Sequence, residues 1–381
     1  MNFSCVKALL GATALTIVSA SAASAGGFSR GTADTDILYE DGNFNLRSSV
    51  TIVNPTREFT SARNPDLVGT SYTDTYAIPS AAVKINLFDP LRCAATLTDA
   101  FGGSAKYVAP KPSGKLEEDF QVHEMGLTCA AKFEIGQGNV YLLGGVFQEQ
   151  FDYNRINEIH VPGVGYLGQA RLRLESTEYG YRVGAGYTIP EIAFRAQLMY
   201  RSAATHQADG TITVPGALVP SPEPTVTLPA VGFGNLPQSV ELKVQSGVAP
   251  GWLAFGSAKW TDWSVQKALV VVTPLATSND IYNWKDGWTV TGGVGHAFTD
   301  KISGLASLTW DSGVETGWDF SSDTYTLALG ASFKDPIGGE LRAGFGLSYL
   351  ASANIIHGDD AGSAVDSGWA YALSAGYAVK W

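Results

Sequence analysis

The chain ends "GWAYALSAGYAVKW" (residues 368–381), and this stretch decides the fold. Trp369, Tyr371, Leu373, Tyr377, Val379 and Trp381 share one parity; Ala370, Ala372, Ser374, Gly376, Ala378 and Lys380 share the other. A period of two is that of a β-strand. In a soluble sheet the large apolar face meets a core, and the opposite face is charged and wet. Here the opposite face is mostly small, so something apolar must cover the large face and something else must lie against the small one.

Working outward, the same pattern recurs. Tyr325, Leu327, Leu329, Ala331 and Phe333 alternate with Thr324, Thr326, Ala328, Gly330 and Ser332, and Leu341, Ala343, Phe345, Leu347 and Tyr349 with Arg342, Gly344, Gly346 and Ser348. One face is apolar, with aromatic residues towards the strand ends, where bilayer interfaces lie. The other is polar or small. This is the alternation of a transmembrane barrel, with the large face on lipid and the small face on a lumen.

The bulk composition agrees. The 381 residues include 9 Trp, 16 Tyr, 17 Phe and 43 Gly, only 16% are charged, and the mean hydropathy is +0.03. Beyond the N-terminus no run approaches the roughly 18 apolar residues of a membrane helix. A secreted β-sandwich or β-helix is the soluble alternative. Short turn sequences, "FDPL" (88–91), "IGQGN" (135–139), "TIPEI" (188–192), "APG" (249–251), "FTDK" (298–301) and "KDPIGG" (334–339), alternate with long connections near 56–75, 99–118, 153–176, 203–237, 265–286, 312–323 and 351–367. The strands so delimited number fourteen. An even count with short turns at one end and long loops at the other predicts an all-β, 14-stranded antiparallel outer-membrane barrel over residues 43–381. Trp381 would close the last strand as the signal to the barrel-assembly machinery, and the barrel would stand as a monomer among outer-membrane lipid and lipopolysaccharide.

"MNFSCVKALLGATALTIVSASAASA" (1–25) carries one positive charge, Lys7, then an apolar stretch and the small-residue site Ala23-Ser24-Ala25. It reads as a secretory signal peptide with the mature chain starting at Gly26. Its removal takes Lys7 and no acid, moving net charge from −11 to −12. Such acidity argues against nucleic acid as a partner, and none is expected. Cys5 leaves with the signal, and Cys93 and Cys129 remain, symmetric about Lys111 in the turn-forming "APKPSG". A hairpin about that point sets them directly opposite, within bridging reach, and export permits a disulfide; two free thiols are the alternative. Residues 26–42, "GGFSRGTADTDILYEDG", lack alternation. They can fold back as a plug in the lumen, with Phe28, Asp34 and Asp36 as its contact residues, or hang as a tail.

Several stretches together resemble the outer-membrane long-chain fatty-acid transporter family of the FadL/TodX (OmpP1) type. They are "GGFSRGTADTD" (26–36), "DAFGGSAKY" (99–107) and "NLPQSVELKVQSGVAPGWLAFGSAKWTDWSV" (235–265), in that order. The resemblance implies a plugged fourteen-stranded barrel, loops that capture hydrophobic ligands, and a third-strand kink that opens sideways to the membrane. The family's Asn-Pro-Ala near the end of the plug is absent; "DTDILYEDGNF" stands in its place.

Two enzyme-like matches lack their context. "GFSRG" (27–31) fits G-x-S-x-G, but follows a cleavage site instead of a strand. "GVGYLG" (163–168) fits G-x-G-x-x-G outside any βαβ unit. His123, His160, His206, His296 and His357 are scattered without metal-ligand spacing. The acidic "HGDDAGSAVD" (357–366) reads as a solvated loop before it reads as a cation site. No enzyme activity, metal or cofactor is expected.

Binding residues are placed by pattern. The proline-rich, apolar segment 211–237 should resist extending the sheet, because proline removes ladder donors. With the 153–176 connection it would form either a lid or a greasy capture surface, using Val161, Val164, Tyr166 and Leu167 with Leu218, Val219, Val226, Leu228, Val231 and Phe233. Parity puts Arg182, Arg195 and Arg201 on the lumen face, with Arg182 and Arg195 nearly opposite across the "IPEI" turn. They would meet Glu241, a plug aspartate or a ligand carboxylate. Phe101, Gly102 and Gly103 mark the kink, because paired glycines tolerate a bulge. The expected function is ligand-gated passive diffusion of long-chain fatty acids or similar hydrophobic compounds with lateral exit. An aromatic-hydrocarbon channel of the same family and a general porin are the alternatives.

Overall fold

The computed structural model describes residues 26–381 apart from residue 220, so the expected signal peptide lies outside the described residues. Fourteen strands close on themselves: β1 Phe44–Thr56, β2 Tyr76–Phe88, β3 Leu91–Lys106, β4 Lys115–Ile135, β5 Gly138–Val161, β6 Gly165–Ile189 and β7 Phe194–Arg201 form one half. The other half comprises β8 Ser239–Ala249, β9 Trp252–Thr261, β10 Gly287–Ala297, β11 Ile302–Asp311, β12 Thr324–Lys334, β13 Gly339–Leu350 and β14 Gly368–Lys380. Every neighbouring pair is antiparallel, and β14 closes on β1 through Asn45↔Lys380 to Thr56↔Trp369. Among the described residues the only helical elements are short 3₁₀ turns, and no helix is long and apolar enough to cross a membrane.

The terminal strand shows why the sheet closes. Trp369, Tyr371 and Leu373 are 45%, 48% and 64% exposed, whereas Ala370, Ala372 and Ser374 are buried. Large apolar side chains thus stand outward over the part of the wall that crosses the membrane, as lipid requires. Closure leaves no unpaired sheet edge in the bilayer, where an unmet backbone N–H or C=O is costly. A row of outward aromatics joined by cross-strand pairing, Trp310↔Tyr325, Tyr325↔Tyr349 and Tyr349↔Trp369, marks the outer interface.

Four of the long connections are corrected by the structure. Residues in 99–118 and 153–176 are mostly the upper parts of β3 to β6, joined by the short connections 107–114 and 162–164. The proline-rich segment does extend the sheet: Ala204–Pro215 pairs with β6 through Arg171↔Thr213 to Glu175↔Asp209, and with Thr225–Leu236 on its other side. Most of 265–286 forms a further hairpin, Ala268–Val272 with Thr277–Ile281. Proline is tolerated because Pro215 ends a strand and Pro222 and Pro224 lie in the connection, while Pro229 sits where its strand has a ladder on one side only. These extensions escaped the alternation test because polarity inverts above the bilayer. In β6 the outward residues Arg171, Arg173 and Glu175 are exposed, and the inward Leu172 and Leu174 are buried. Lower in the same strand Tyr179, Tyr181 and Val183 face outward.

Cys93 and Cys129 are directly paired between β3 and β4 and form a disulfide.

Candidate functional site

The lumen divides by chemistry. Its lower and middle part is polar, and two ion networks hold it. In the first, Glu124 of β4 accepts from Arg182 of β6 and, at 3.0 Å, from Arg201 of β7; Arg201 also pairs with Glu149 of β5. Glu124 and Glu149 are fully buried, so two cations offset two anions where neither could stand alone. Arg201 also lies 4.3 Å from the Phe147 ring centroid. The register corrects one expectation: Arg182 pairs with Arg201, and Arg195 lies opposite Thr188. The 3₁₀ turn Pro190–Ile192 moves the centre of the hairpin beyond the position that the turn sequence suggested.

The second network ties residues 26–42 to the wall. Asp34 accepts twice from Arg47 at 2.8 Å, Glu40 pairs with the same guanidinium, and Asp36 meets Arg195 at 3.1 Å and Lys243 at 3.4 Å. Of the partners expected for the lumen arginines, Asp36 therefore holds Arg195, while Glu241 lies 3.6 Å from Lys243. Apolar contacts assist: Ile37 and Leu38 are fully buried against Ala82, Ala94, Ala130 and Leu143. Gly186 leaves room for the Tyr39 hydroxyl, which a Cβ there would meet at 2.2 Å.

The upper lumen is apolar and aromatic. The Phe28 ring lies 4.5 Å from Phe120, 4.6 Å from Trp284, 5.4 Å from Tyr282 and 6.0 Å from Trp263, mostly edge to face. Beside it is a small apolar pocket of about 40 Å³ bordered by Phe120, Phe151, Tyr153, Leu236, Leu269 and Tyr282. Above opens a vestibule of about 590 Å³, and Phe28 lines both. None of the ten capture-surface residues lines either cavity: Val164 and Tyr166 are exposed at a hairpin tip, and Leu218 and Val219 are half-buried in the connection of another. Below lies a polar cavity of about 280 Å³ bordered by hydroxyls such as Ser257, Thr291, Ser307 and Thr326.

The wall itself has a window. β2 and β3 pair from the lower turn only as far as Ser80↔Thr98. Above that point Tyr76–Pro79 pair only with β1, and Asp99 onward only with β4. Pro79 has no donor to continue the ladder, and β3 carries a bulge at Ala100, between Asp99↔His123 and Phe101↔Val122. Gly102 and Gly103, where the kink was expected, continue in β3 opposite Gln121 and Phe120. The strands meet again at Thr73↔Ala105, with the Lys106 N–H on the Tyr72 carbonyl at 2.9 Å. About seven residues of strand separate the two ends, roughly 20 Å. Ser80 aligns through Ser49 with Gly376, and Tyr76 through Val53 with Ala372, so the window runs from the middle of the membrane band towards its outer interface. Residues 28–31 fill it from inside: the Gly102 N–H donates to the Phe28 carbonyl at 2.9 Å, Arg30 N–H to Ala100 at 2.9 Å, and Gly31 N–H to Asp99 at 2.7 Å.

Sequence reading missed Glu124, Glu149, Arg47, Lys243 and Pro79, which act only through register. Trp263, Tyr282 and Trp284 were visible as aromatic residues in "KWTDWSV" and "IYNW". Ser176 Oγ lies 2.8 Å from His206 Nδ1, and His206 Nε2 3.3 Å from Glu149. This has the order of a hydrolytic triad, but Arg201 already takes the Glu149 charge.

A family model described as outer membrane protein transport protein (OMPP1/FadL/TodX) matches residues 131–378. The fold is similar to that of a Pseudomonas aeruginosa FadL homologue, with a TM-score of 0.73 and 13% identity over 94% of this chain and 98% of that one. It is also similar to the Pseudomonas putida toluene transporter TodX, with a TM-score of 0.64 and 12% identity over 94% and 96%. The Ralstonia pickettii toluene transporter TbuX gives a TM-score of 0.61 and 12% identity over 90% of each chain. At such identities the likeness is one of fold. No curated protein matches the sequence significantly.

Proposed function

Because the chain belongs to the outer membrane protein transport protein family (OMPP1/FadL/TodX), and is thus a bacterial outer-membrane channel and not an enzyme, we propose that it admits small aromatic hydrocarbons by passive diffusion and releases them sideways into the outer leaflet. The observation that carries this reading is the adjacency of an aromatic pocket, bordered by Phe28, and a wall window, filled by the stretch Phe28–Gly31. Residues 26–42 serve as the plug. A ring arriving from the vestibule takes the place of Phe28, because the pocket of about 40 Å³ is smaller than the roughly 150 Å³ cavity known to hold benzene. Displacing Phe28 pulls at the backbone bonds from residues 28–31 to β3, and the window clears. The polar cavity below disfavours an axial path, since each CH₂ returned to a polar setting costs about 0.8 kcal/mol.

Long-chain fatty acids are the second reading. Arg182, Arg195 and Arg201 are engaged by carboxylates of the chain, so a ligand acid would exchange with those or meet Arg30, whose Nη1 is buried without a hydrogen-bond partner. Uptake of labelled toluene and of labelled oleate by cells with and without the protein separates the two. Toluene uptake above the control supports the first reading, oleate uptake alone the second, and neither would refute transport.

A further inference from the structure

We propose that Arg30 is the latch of the window, a positioning residue that holds it shut from the lumen side. This rests on the transport reading and names the regulation of the same site. Three observations converge on this one side chain. Its guanidinium lies 3.8 Å from the centroid of the Tyr76 ring, on the β2 jamb. On the β3 jamb it packs against Gly102, where a Cβ would stand 2.7 Å from Nε and 2.9 Å from Cζ. It lines both the vestibule above and the polar cavity below, so it sits where the two spaces and the opening in the wall meet.

The side chain therefore spans two strands that no ladder joins at this level. A flat cation stacked on an aromatic face makes a directional contact that is readily undone and reformed. The backbone of Arg30 is at the same time bonded to Ala100, so withdrawal of residues 28–31 must carry the guanidinium off Tyr76. Its Nη1 finds no acceptor in this closed arrangement. A buried, unpaired donor raises the free energy of the closed state, and opening lets it hydrate. The latch is thus set to release. Gly102 is part of the device, since only a residue without a side chain lets the guanidinium lie flat across the gap; its backbone is not in the left-handed region, and alanine fits the strand.

The test uses cells producing the whole protein and follows entry of N-phenyl-1-naphthylamine, a hydrophobic aromatic dye that fluoresces on reaching the bilayer. Arg30→Met removes the charge and keeps an unbranched apolar side chain; Gly102→Ala pushes the guanidinium aside and keeps the charge. Amounts are matched by the folded, heat-modifiable band, which excludes misfolding as the cause. Both variants are expected to admit dye roughly tenfold faster than the wild type, the size of one partly desolvated cation–π contact, as is Tyr76→Leu, which removes the ring that the guanidinium rests on. Wild-type entry above that of cells lacking the protein, with no change in any variant, would overturn the latch and leave transport standing. Faster entry in the variants over an inert wild type would support the latch and contradict transport by the resting protein. No entry in the wild type or in any variant would overturn both.

Discussion

Arg201 shows how much a single residue carries in this lumen. It pairs with Glu124 and Glu149, rests on Phe147, and donates to the Pro237 carbonyl at 3.3 Å. Arg201→Met leaves two buried carboxylates with Arg182 as their one remaining arginine, and removing one member of a buried ion group costs about 3–5 kcal/mol. Loss of the heat-modifiable band at a lower temperature is the expected result. Arg182→Met and Glu124→Gln share an ion pair, so their combined effect should fall short of the sum of the two, which a double-mutant cycle measures. These side chains were legible only in part. Parity alone put Arg182, Arg195 and Arg201 inward, because parity survives any error in turn length. Their partners were not legible, because a partner depends on register, and the 3₁₀ turn Pro190–Ile192 shifted that register beyond what "TIPEI" suggested.

At the scale of elements, β3 is the strand that differs from the rest. Its lower half is pinned to β4 by the disulfide and to β2 by ladder pairing, and its upper half parts from that side of the wall until Thr73↔Ala105. Replacing Cys93 and Cys129 by serine should lower stability by about 2–4 kcal/mol, a typical value for one disulfide, and lower the unfolding midpoint in urea accordingly. Pro79→Val restores a backbone donor at the top of the β2 ladder; dye entry in that variant should slow as the window shortens. The strands in the bilayer were readable because lipid forces a strict alternation of large and small residues. The extensions above it were not. There water, in place of lipid, meets the outer face, Leu172 and Leu174 turn inward, and the same alternation reads with opposite sign. The proline-rich segment misled for a related reason: proline excludes a strand flanked by ladders on both sides but not one on an open edge, and openness is a property of the assembled sheet.

Considered as a whole, the described residues form a closed wall with a seam between β2 and β3, an apolar aromatic chamber beside that seam, and a polar cavity whose floor is the charged contact of residues 34–36 with the wall. This ordering of polarity makes sideways release the shorter route downhill for a hydrocarbon. An aromatic ring leaving the chamber through the window passes from rings to lipid, whereas one descending the axis must pass the charges of Asp36, Arg47 and Lys243. Dye entry measured in Ser303→Trp/Arg342→Trp cells, with the folded band matched to wild type, tests this most directly, because both residues face the lumen near the lower turns, in one register row with Ser332, and bulky replacements narrow the axial route. The account predicts entry at the wild-type rate. Entry reduced to that of cells lacking the protein would show that the ligand travels down the axis, and would contradict release through the wall.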